Sequence, residues 1–135
     1  MTPPNHADIA VVTVTFNSAS VLPEFFDCLK AQTVPYRLFA VDNASSDESV
    51  RWMRANADAS IEIISRSDNA GVAVGNNEGI RRALASGFRW IVLLNNDTAF
   101  GPTLFEDLVR SAELHSAEVV VPSLRFYDEP EQGMV

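Results

Sequence analysis

The chain has 135 residues, of which 47% are hydrophobic and 21% charged, and this balance is typical of a globular domain with one core. Its formal net charge of -8 disfavours binding to a nucleic-acid backbone or to an anionic membrane. Cys28 is the only cysteine, which excludes an intrachain disulfide and a multi-cysteine zinc site.

The chain opens with a predicted strand, a helix and a second strand. Ile9–Phe16 is apolar and rich in β-branched residues, which predicts a strand buried on both faces. Asn17 and Ser18 are candidate caps of the helix that follows, because an apolar stripe with helical spacing runs from Leu22 to Leu29. Arg37–Val41 is predicted to form the second strand.

The middle of the chain repeats this alternation. Ser45 with Glu48 three residues later has the form of a capping box, so the second helix is expected to begin at Ser45 and to end near Asn56. Ile61–Ser65 predicts the third strand. The glycine-bearing segment Asn69–Gly79 is then expected to lead into the third helix.

The last third of the chain predicts two further strands around a helix. Gly87 has the position of the residue that follows a helix, and Trp90–Leu94 predicts the fourth strand. Pro102 suits the first turn of a fourth helix, and Val119–Val121 predicts a fifth strand. The acidic tail 128–135, with a proline and a glycine, indicates a flexible end.

Alternation of strands with helices predicts the α/β class, with a doubly wound, mainly parallel sheet and helices on both faces. Residues 1–135 are expected to form a single domain that is part of a longer protein, with flexible ends at 1–8 and 128–135. No apolar run approaches the roughly 18 residues that span a bilayer, and the N-terminus lacks the features of a signal peptide. These absences predict a cytoplasmic protein.

Polar residues follow three of the predicted strands. Thr15–Asn17, Asp42-Asn43 and Asn95–Asp97 come after the first, second and fourth strands. In an open parallel sheet, ligands bind beyond the carboxyl ends of the strands, so we expect these residues to lie at one rim. Asp97 directly after a buried strand favours a ligand for a hard cation.

Each of these features also has a purely structural interpretation. Asp42-Asn43 is equally compatible with a turn, and Asn95–Asp97 with a helix cap. The spacing of Gly71, Gly75 and Gly79 fits close packing of a helix face at least as well as a phosphate contact.

Four motifs, taken together and in order, resemble the family-2 glycosyltransferases with the GT-A fold, particularly the rhamnosyltransferase-like members. The motifs are Val14–Asn17, Val41–Asp47, Asn69–Gly71 with Asn77–Gly79, and Leu93–Asp97. The resemblance covers the chain from Ile9 to about Phe126. It implies a GT-A, Rossmann-like half that binds a nucleoside-diphosphate-sugar.

The resemblance also implies roles for individual residues. The implied nucleotide-sugar-binding residues are Thr15, Phe16, Asn17, Asp42, Asn43, Asn69, Asn95 and Asn96. Asp42 would accept a hydrogen bond from the imide N–H of a pyrimidine base. Asn95-Asn96-Asp97 stands in the place of the Asp-x-Asp motif of the family, so Asp97 would ligate Mg²⁺ or Mn²⁺. Asn95 departs from the family pattern, because it replaces the first aspartate.

The implied activity is inverting transfer of a sugar from a dTDP- or UDP-linked donor, rhamnose first among the candidates, to a glycan or lipid-linked acceptor. Such transfer serves polysaccharide biosynthesis, and the parent protein could lie peripherally at the inner face of the membrane. Transfer needs a general base, which is expected beyond Val135 because no residue of this chain matches the family position.

One alternative function stays open, and specific residues argue against two others. A non-catalytic nucleotide-binding or regulatory module is the alternative that stays open. A phosphorylation-dependent receiver domain is disfavoured, because Asn17-Ser18 replaces the acidic pair after the first strand and no lysine follows the fifth. A nicotinamide dehydrogenase is disfavoured, because the first strand-to-helix turn contains no glycine.

Overall fold

The computed structural model describes residues 8–131 and 133, and in this part of the chain four strands alternate with four helices. The elements are β1 (Ile9–Thr15), α1 (Leu22–Lys30), β2 (Arg37–Asp42), α2 (Ser49–Asn56), β3 (Ile61–Ser65), α3 (Val72–Ala85), β4 (Trp90–Leu93) and α4 (Leu104–Leu114). The strands form one parallel sheet in the order β3-β2-β1-β4. The predicted α/β class with a parallel sheet is confirmed.

The sheet is buried on both faces because alternate residues of its central strands enter two different cores. Ile9 and Val11 of β1 pack in one core with residues of α1, α2 and α4. Ala10 and Val12 of β1 pack in the other core, against α3. The first core is rich in aromatic rings, and Phe26 meets Trp52 edge to face with the ring centroids 4.9 Å apart.

Two glycines let α3 lie close to β1. A Cβ atom at Gly75 would stand 2.8 Å from Cγ2 of Val14, and one at Gly79 would overlap Cγ1 of Val12. The packing interpretation is therefore confirmed for these two glycines. Gly71 differs, because it precedes α3 with a φ of 92° and a Cβ atom added to it would meet no other atom within 4 Å.

The predicted fifth strand is wrong, because Val119–Val121 pairs with no strand among the described residues. The side chains of Val119 and Val121 are 82% and 72% exposed. Strand propensity alone does not form a strand, since the backbone also needs a hydrogen-bonding neighbour at its side.

The predicted start of the second helix is also wrong, since α2 begins at Ser49 and not at Ser45. The Ser45 hydroxyl donates to Asp42 Oδ1 at 2.6 Å and accepts the Asn17 N–H at 2.9 Å, so it is engaged elsewhere. Asp47, which precedes the N-cap residue Glu48, satisfies the first N–H of α2 instead, because its Oδ1 accepts the Ser49 N–H at 2.9 Å.

The starts of α1 and α3 also differ from the sequence prediction. Asn17 and Ser18 do not cap α1 with their side chains, since α1 begins only at Leu22 after a turn that the Ser18 carbonyl closes. The third helix begins at Val72, so most of the segment predicted to lead into it already belongs to α3. Its predicted end is right, because Gly87 follows the last turn with a φ of 84°.

The ends of the chain are only partly described. Of the ends predicted to be flexible, residues 1–7, 132, 134 and 135 lie outside the described residues. Near the C-terminus, Arg125 and Gly133 form an isolated antiparallel bridge. In the part of the chain that the structure describes, no helix combines the length and the apolar character needed to cross a membrane.

Candidate functional site

The strand order creates one crevice at the carboxyl edge of the sheet. From β1 the chain moves to β2 and β3 on one side, and it then crosses back to place β4 on the other side of β1. This reversal between β1 and β4 is the position where open parallel sheets bind ligands. Thr15 ends β1 and Asp42 ends β2, while Asn95–Asp97 follows β4 at the same edge.

Asn96 ties the loop after β4 to the end of β1. Its side chain is 8% exposed, and its Nδ2 donates to the Val14 carbonyl at 3.2 Å and to Thr15 Oγ1 at 3.4 Å. Its neighbours Asn95 and Asp97 are exposed. The inward amide of Asn96 therefore sets the orientation in which these two neighbours face solvent at the rim.

Asp42 is a buried carboxylate that holds the turn after β2. It is 2% exposed, and its two oxygens accept from the hydroxyl and the N–H of Ser45 at 2.6 and 3.0 Å. An ionised carboxylate has about four lone-pair sites, so two remain for other donors. The turn interpretation and the ligand interpretation of Asp42 are thus compatible.

Asn17 joins the loop after β1 to the loop after β2. It adopts a φ of 47°, and its Oδ1 accepts the Ser46 N–H at 2.8 Å. Phe16 beside it leaves its ring 48% exposed at the rim. The loop is therefore held by Asn17, while the aromatic face of Phe16 is available for stacking on a ring of a ligand.

Asn43 carries an acceptor without a partner in the interior of the rim. It is 1% exposed, and its Nδ2 donates to the Gly71 carbonyl at 3.0 Å and to Asn69 Oδ1 at 3.3 Å. Its Oδ1 is buried and accepts no hydrogen bond from the described residues. An unsatisfied buried acceptor costs about 1–3 kcal/mol, and because this atom is closed off from solvent, a ligand would reach it only if neighbouring side chains move.

Sequence analysis missed an ion-pair cluster beside this rim. Arg66 follows β3, its N–H donates to the Asp42 carbonyl at 2.9 Å, and its guanidinium pairs with Glu78 and Asp68. The hydrogen bond that Arg66 donates to the Glu78 carboxylate is the largest cause that raises the pKa of Arg66. Glu78 follows Asn77 in a family-like motif, but its partner lies twelve residues earlier, and no local pattern indicates that pairing.

Asp47 is a second residue that sequence analysis did not single out. Its Oδ2 accepts the Ala19 N–H at 3.1 Å, so the carboxylate joins the segment before α1 to the start of α2. Hydrogen bonds from the Ser49 side chain, and then from backbone N–H groups including that of Ala19, lower the pKa of Asp47. An aspartate two residues before Ser49 is itself a pattern found at helix starts. The sequence prediction placed the helix start at Ser45 with Glu48 instead.

The residues after β4 fit a cation that is held together with a substrate. Asp97 and Asn95 offer a carboxylate and an amide oxygen, which are the hard ligands that Mg²⁺ and Mn²⁺ prefer. Within residues 8–131 and 133, no group of three or more His, Cys, Asp or Glu side chains could hold a metal ion. A cation at this rim would therefore need oxygens of a bound phosphate, which is how Mg²⁺ sites are commonly completed.

The comparison with known families decides the class of the protein. Residues 10–134 match the family described as glycosyl transferase family 2. The chain belongs to glycosyl transferase family 2. This assignment confirms the family resemblance of the four motifs, while a rhamnosyltransferase-like specificity stays a prediction.

Two curated relatives match along almost the whole chain. Galactofuranosyltransferase GlfT1 from Mycobacterium tuberculosis, strains CDC 1551 / Oshkosh and ATCC 25618 / H37Rv, is 31% identical over 125 residues. The match covers 90% of this chain and 41% of the relative. The chain thus spans about two fifths of the length of these curated relatives.

Solved structures support the same fold. Residues 1–349 of S. aureus TarS superpose with a TM-score of 0.72 at 16% identity, covering 89% of this chain and 40% of that one. The mannosyltransferase PcManGT from Pyrobaculum calidifontis, in complex with GDP-Man and Mn²⁺, has a TM-score of 0.63 at 22% identity and covers 91% of this chain and 36% of that one. The chain therefore has the fold that these two structures share.

Proposed function

We propose that the protein binds a pyrimidine nucleoside-diphosphate-sugar at the carboxyl rim of the sheet and serves inverting transfer of the sugar to a glycan or lipid-linked acceptor. Membership of glycosyl transferase family 2 supports the reaction class. The single observation that carries the binding site is the meeting of Thr15, Asp42 and Asn95–Asp97 at the carboxyl edge of the sheet, where the strand order reverses between β1 and β4.

The acceptors at this rim suit the donor groups of a nucleoside. The imide N–H of uracil or thymine and the hydroxyls of a ribose are donors that a carboxylate and an amide oxygen can accept. Thr15, Phe16 and Asn17 would border the nucleotide, and Asn69 would support the base or ribose through Asn43. The carbonyl of Thr15 already accepts the Asn43 N–H at 2.8 Å, which fixes the spacing between the two loops.

We assign the cation role to Asp97, with Asn95 beside it. When bound, Mg²⁺ or Mn²⁺ would neutralise charge on the diphosphate of the donor. The PcManGT neighbour is a complex with GDP-Man and Mn²⁺, which supports metal use in this fold class. Asn96 would act indirectly, because its amide is engaged by β1 and orients Asp97.

We propose the nucleotide that carries the sugar, but not the sugar itself. Rhamnose on dTDP follows from the resemblance, whereas the relative from M. tuberculosis is named a galactofuranosyltransferase. Both sugars are compatible with the carboxylate of Asp42 if the carrier base has an imide N–H. We assign no general base to residues 1–135, so acceptor activation belongs to the remainder of a longer protein.

Calorimetric titration of UDP and dTDP into the protein, with and without Mn²⁺, tests the site. Asp97→Ala should weaken nucleotide affinity by about tenfold or more when Mn²⁺ is present and leave the metal-free affinity unchanged. Asp27→Ala is the matched control, because it removes an exposed carboxylate from the surface of α1. Equal affinities of Asp97→Ala and the control in Mn²⁺ would exclude Asp97 as the ligand.

A further inference from the structure

The segment between β4 and α4 carries Asp97 but has no regular structure of its own. It runs from residue 94 to residue 103, and none of these residues belongs to a helix or a strand. An irregular segment keeps one conformation only where other parts of the chain hold it. The position of the Asp97 carboxylate therefore depends on the contacts that fix this segment.

The first part of the segment is fixed to β1. The Leu94 N–H donates to the Val12 carbonyl at 3.0 Å, and Nδ2 of Asn96 donates to the Val14 carbonyl at 3.2 Å. Both contacts come before Asp97 in the chain. The residues after Asp97 are held by contacts at the other end of the segment.

Gln32 fixes that other end. It follows α1, and its side-chain amide joins α1, the segment and α4. Its Nε2 donates to the Gly101 carbonyl at 2.8 Å and to the Cys28 carbonyl at 3.1 Å, and its Oε1 accepts the Phe105 N–H at 3.2 Å. Both N–H groups and the oxygen of the amide are thus engaged, so its orientation is fixed by its partners.

Two further contacts lie at the same junction. The Thr33 N–H donates to the Pro102 carbonyl at 2.9 Å, and the Thr33 hydroxyl donates to Glu106 Oε2 at 2.8 Å. The ring of Phe100 meets that of Phe25 edge to face, with the centroids 6.0 Å apart. The segment is therefore anchored on both sides of Asp97, and the Gln32 amide joins its last part to both helices.

We propose that Gln32 is a positioning residue for the cation site. Through Gly101 and the start of α4, it holds the segment in the conformation in which the Asp97 carboxylate meets the cation and the diphosphate of the donor. The inference rests on the proposed function, in which Asp97 ligates Mg²⁺ or Mn²⁺. Groups that orient a metal ligand typically change metal affinity by about 10- to 100-fold when they are removed.

Helix capping alone is the competing interpretation of Gln32. Its amide satisfies a carbonyl at the end of α1 and an N–H near the start of α4, which are groups that helices leave unpaired. Loss of a cap loosens the fold, and this weakens nucleotide binding equally with and without a cation. A positioning role acts only through the cation. The two interpretations therefore differ in the metal dependence of binding.

Calorimetric titration of UDP, with and without Mn²⁺, into the unmodified protein and Gln32→Ala tests the inference. The affinity in Mn²⁺ should be about tenfold lower in the variant, and the metal-free affinity should be unchanged. Thr33→Ala is the matched control, because it removes the hydroxyl bond to Glu106 at the same junction and keeps the Gln32 amide. It should leave both affinities unchanged.

A second variant and a double variant sharpen the comparison. Gln32→Glu keeps an acceptor for the Phe105 N–H but places an oxygen opposite the Gly101 carbonyl, so it should show the same loss in Mn²⁺. If Gln32→Ala does not fold, Gln32→Glu decides by the same criteria. In an Asp97→Ala background, Gln32→Ala should cause no further loss, because both residues act through one cation.

The other outcomes overturn the inference in distinguishable ways. An affinity in Mn²⁺ that is unchanged in both Gln32 variants would remove the positioning role and leave the role of Asp97 standing. Equal losses with and without Mn²⁺, or a further loss in the Asp97→Ala background, would make Gln32 a helix cap only. Absence of any Mn²⁺ effect in the unmodified protein would overturn the proposed cation site, and the positioning role with it.

Discussion

Asp42 combines two tasks that a single buried carboxylate can perform at once. Its oxygens hold Ser45 and so shape the turn after β2, and two of its lone-pair sites remain for donors of a ligand. Loss of the carboxylate therefore affects both the turn and any bound base. The ratio of the affinities for two nucleotides separates these effects, because disorder of the turn weakens the binding of both nucleotides equally.

We predict that Asp42→Asn reduces the preference of the protein for UDP over CDP. Uracil has an imide N–H at the position where cytosine has only an acceptor. A hydrogen bond to a charged group is worth about 1.5–3 kcal/mol, so the affinity ratio should fall by roughly 10- to 150-fold. The measurement is a pair of calorimetric titrations in Mn²⁺ for each protein.

Ser45→Ala is the control for this prediction. It removes the hydroxyl that donates to Asp42 and disturbs the same turn, but it keeps the carboxylate. We expect both affinities to weaken and their ratio to stay near that of the unmodified protein. An unchanged ratio in Asp42→Asn would show that Asp42 only shapes the turn.

For single residues, the sequence predicted where the site residues lie in the sheet better than it predicted where their side chains point. Asp42 and Asn43 were identified because they end a buried strand, and the parallel sheet places them at the expected edge. The inward amide of Asn96 was not predictable, because its partners on β1 lie 81 and 82 residues earlier. Residue type and local spacing carry no information on such distant partners.

Asp47 illustrates how one side chain can organise two helices. Its carboxylate accepts N–H groups from Ala19, before α1, and from Ser49, at the start of α2. We predict that Asp47→Ala lowers the free energy of unfolding by about 1 kcal/mol at neutral pH, which is the typical value of a lost cap. Urea unfolding of the two proteins at pH 7 measures the difference.

The same difference should depend on pH with a defined sign. The pKa of Asp47 is lower in the folded protein than the usual 3.8, chiefly because of the Ser49 side chain. Its stabilising contribution is therefore complete above pH 3.8 and is lost as the pH falls through the lower folded value. A gap between the proteins that widens on acidification would contradict this assignment.

Close contact between α3 and β1 depends on Gly79. We predict that Gly79→Ala destabilises the protein by about 1–3 kcal/mol, because the new methyl group overlaps the stiff side chain of Val12. This cost opposes the usual gain in helix propensity of up to about 1 kcal/mol. Thermal and urea unfolding both report the net change.

Gly101→Ala is the matched control for that change. A Cβ at Gly101 meets no atom within 4 Å, and Gly101 is not among the residues with positive φ. We expect its effect to stay within about 0.5 kcal/mol, as for most surface substitutions. Equal effects of the two substitutions would mean that Val12 shifts freely to admit the methyl group.

At the scale of elements, hydrophobic periodicity identified all four strands and the helices between them. The errors concern helix starts and the segment 119–121. A helix start depends on which side chain is available to cap it, and Ser45 is engaged by Asp42 and Asn17. The segment 119–121 depends on a neighbouring strand, which no property of its own residues can supply.

On the proposed function, this chain would supply the donor site and not the whole enzyme. Its rim gathers the ends of β1 and β2 and the exposed carboxylate of Asp97, the groups to which that proposal assigns donor binding. The relatives devote more than half of their length to polypeptide outside the matched region. The acceptor site and the general base belong, on this proposal, to that additional polypeptide.

We therefore predict that residues 1–135 bind a pyrimidine nucleoside diphosphate in the presence of Mn²⁺ but do not catalyse sugar transfer. General-base assistance contributes about 10²–10⁴ to a rate, and positioning of the acceptor contributes further. Without both, turnover should fall below detection even with the donor bound. The measurement compares donor consumption and transfer by residues 1–135 with those of the product of the complete reading frame.

The two proteins together distinguish the remaining functions. Transfer by the longer product alone supports a donor-binding half that needs its continuation. Nucleotide binding without transfer in both proteins would favour a non-catalytic module, since the donor site would then serve no chemistry. Robust transfer by residues 1–135 would place the base among the residues described here, and the exposed carboxylates at the rim, beginning with Asp97, would be the first to substitute.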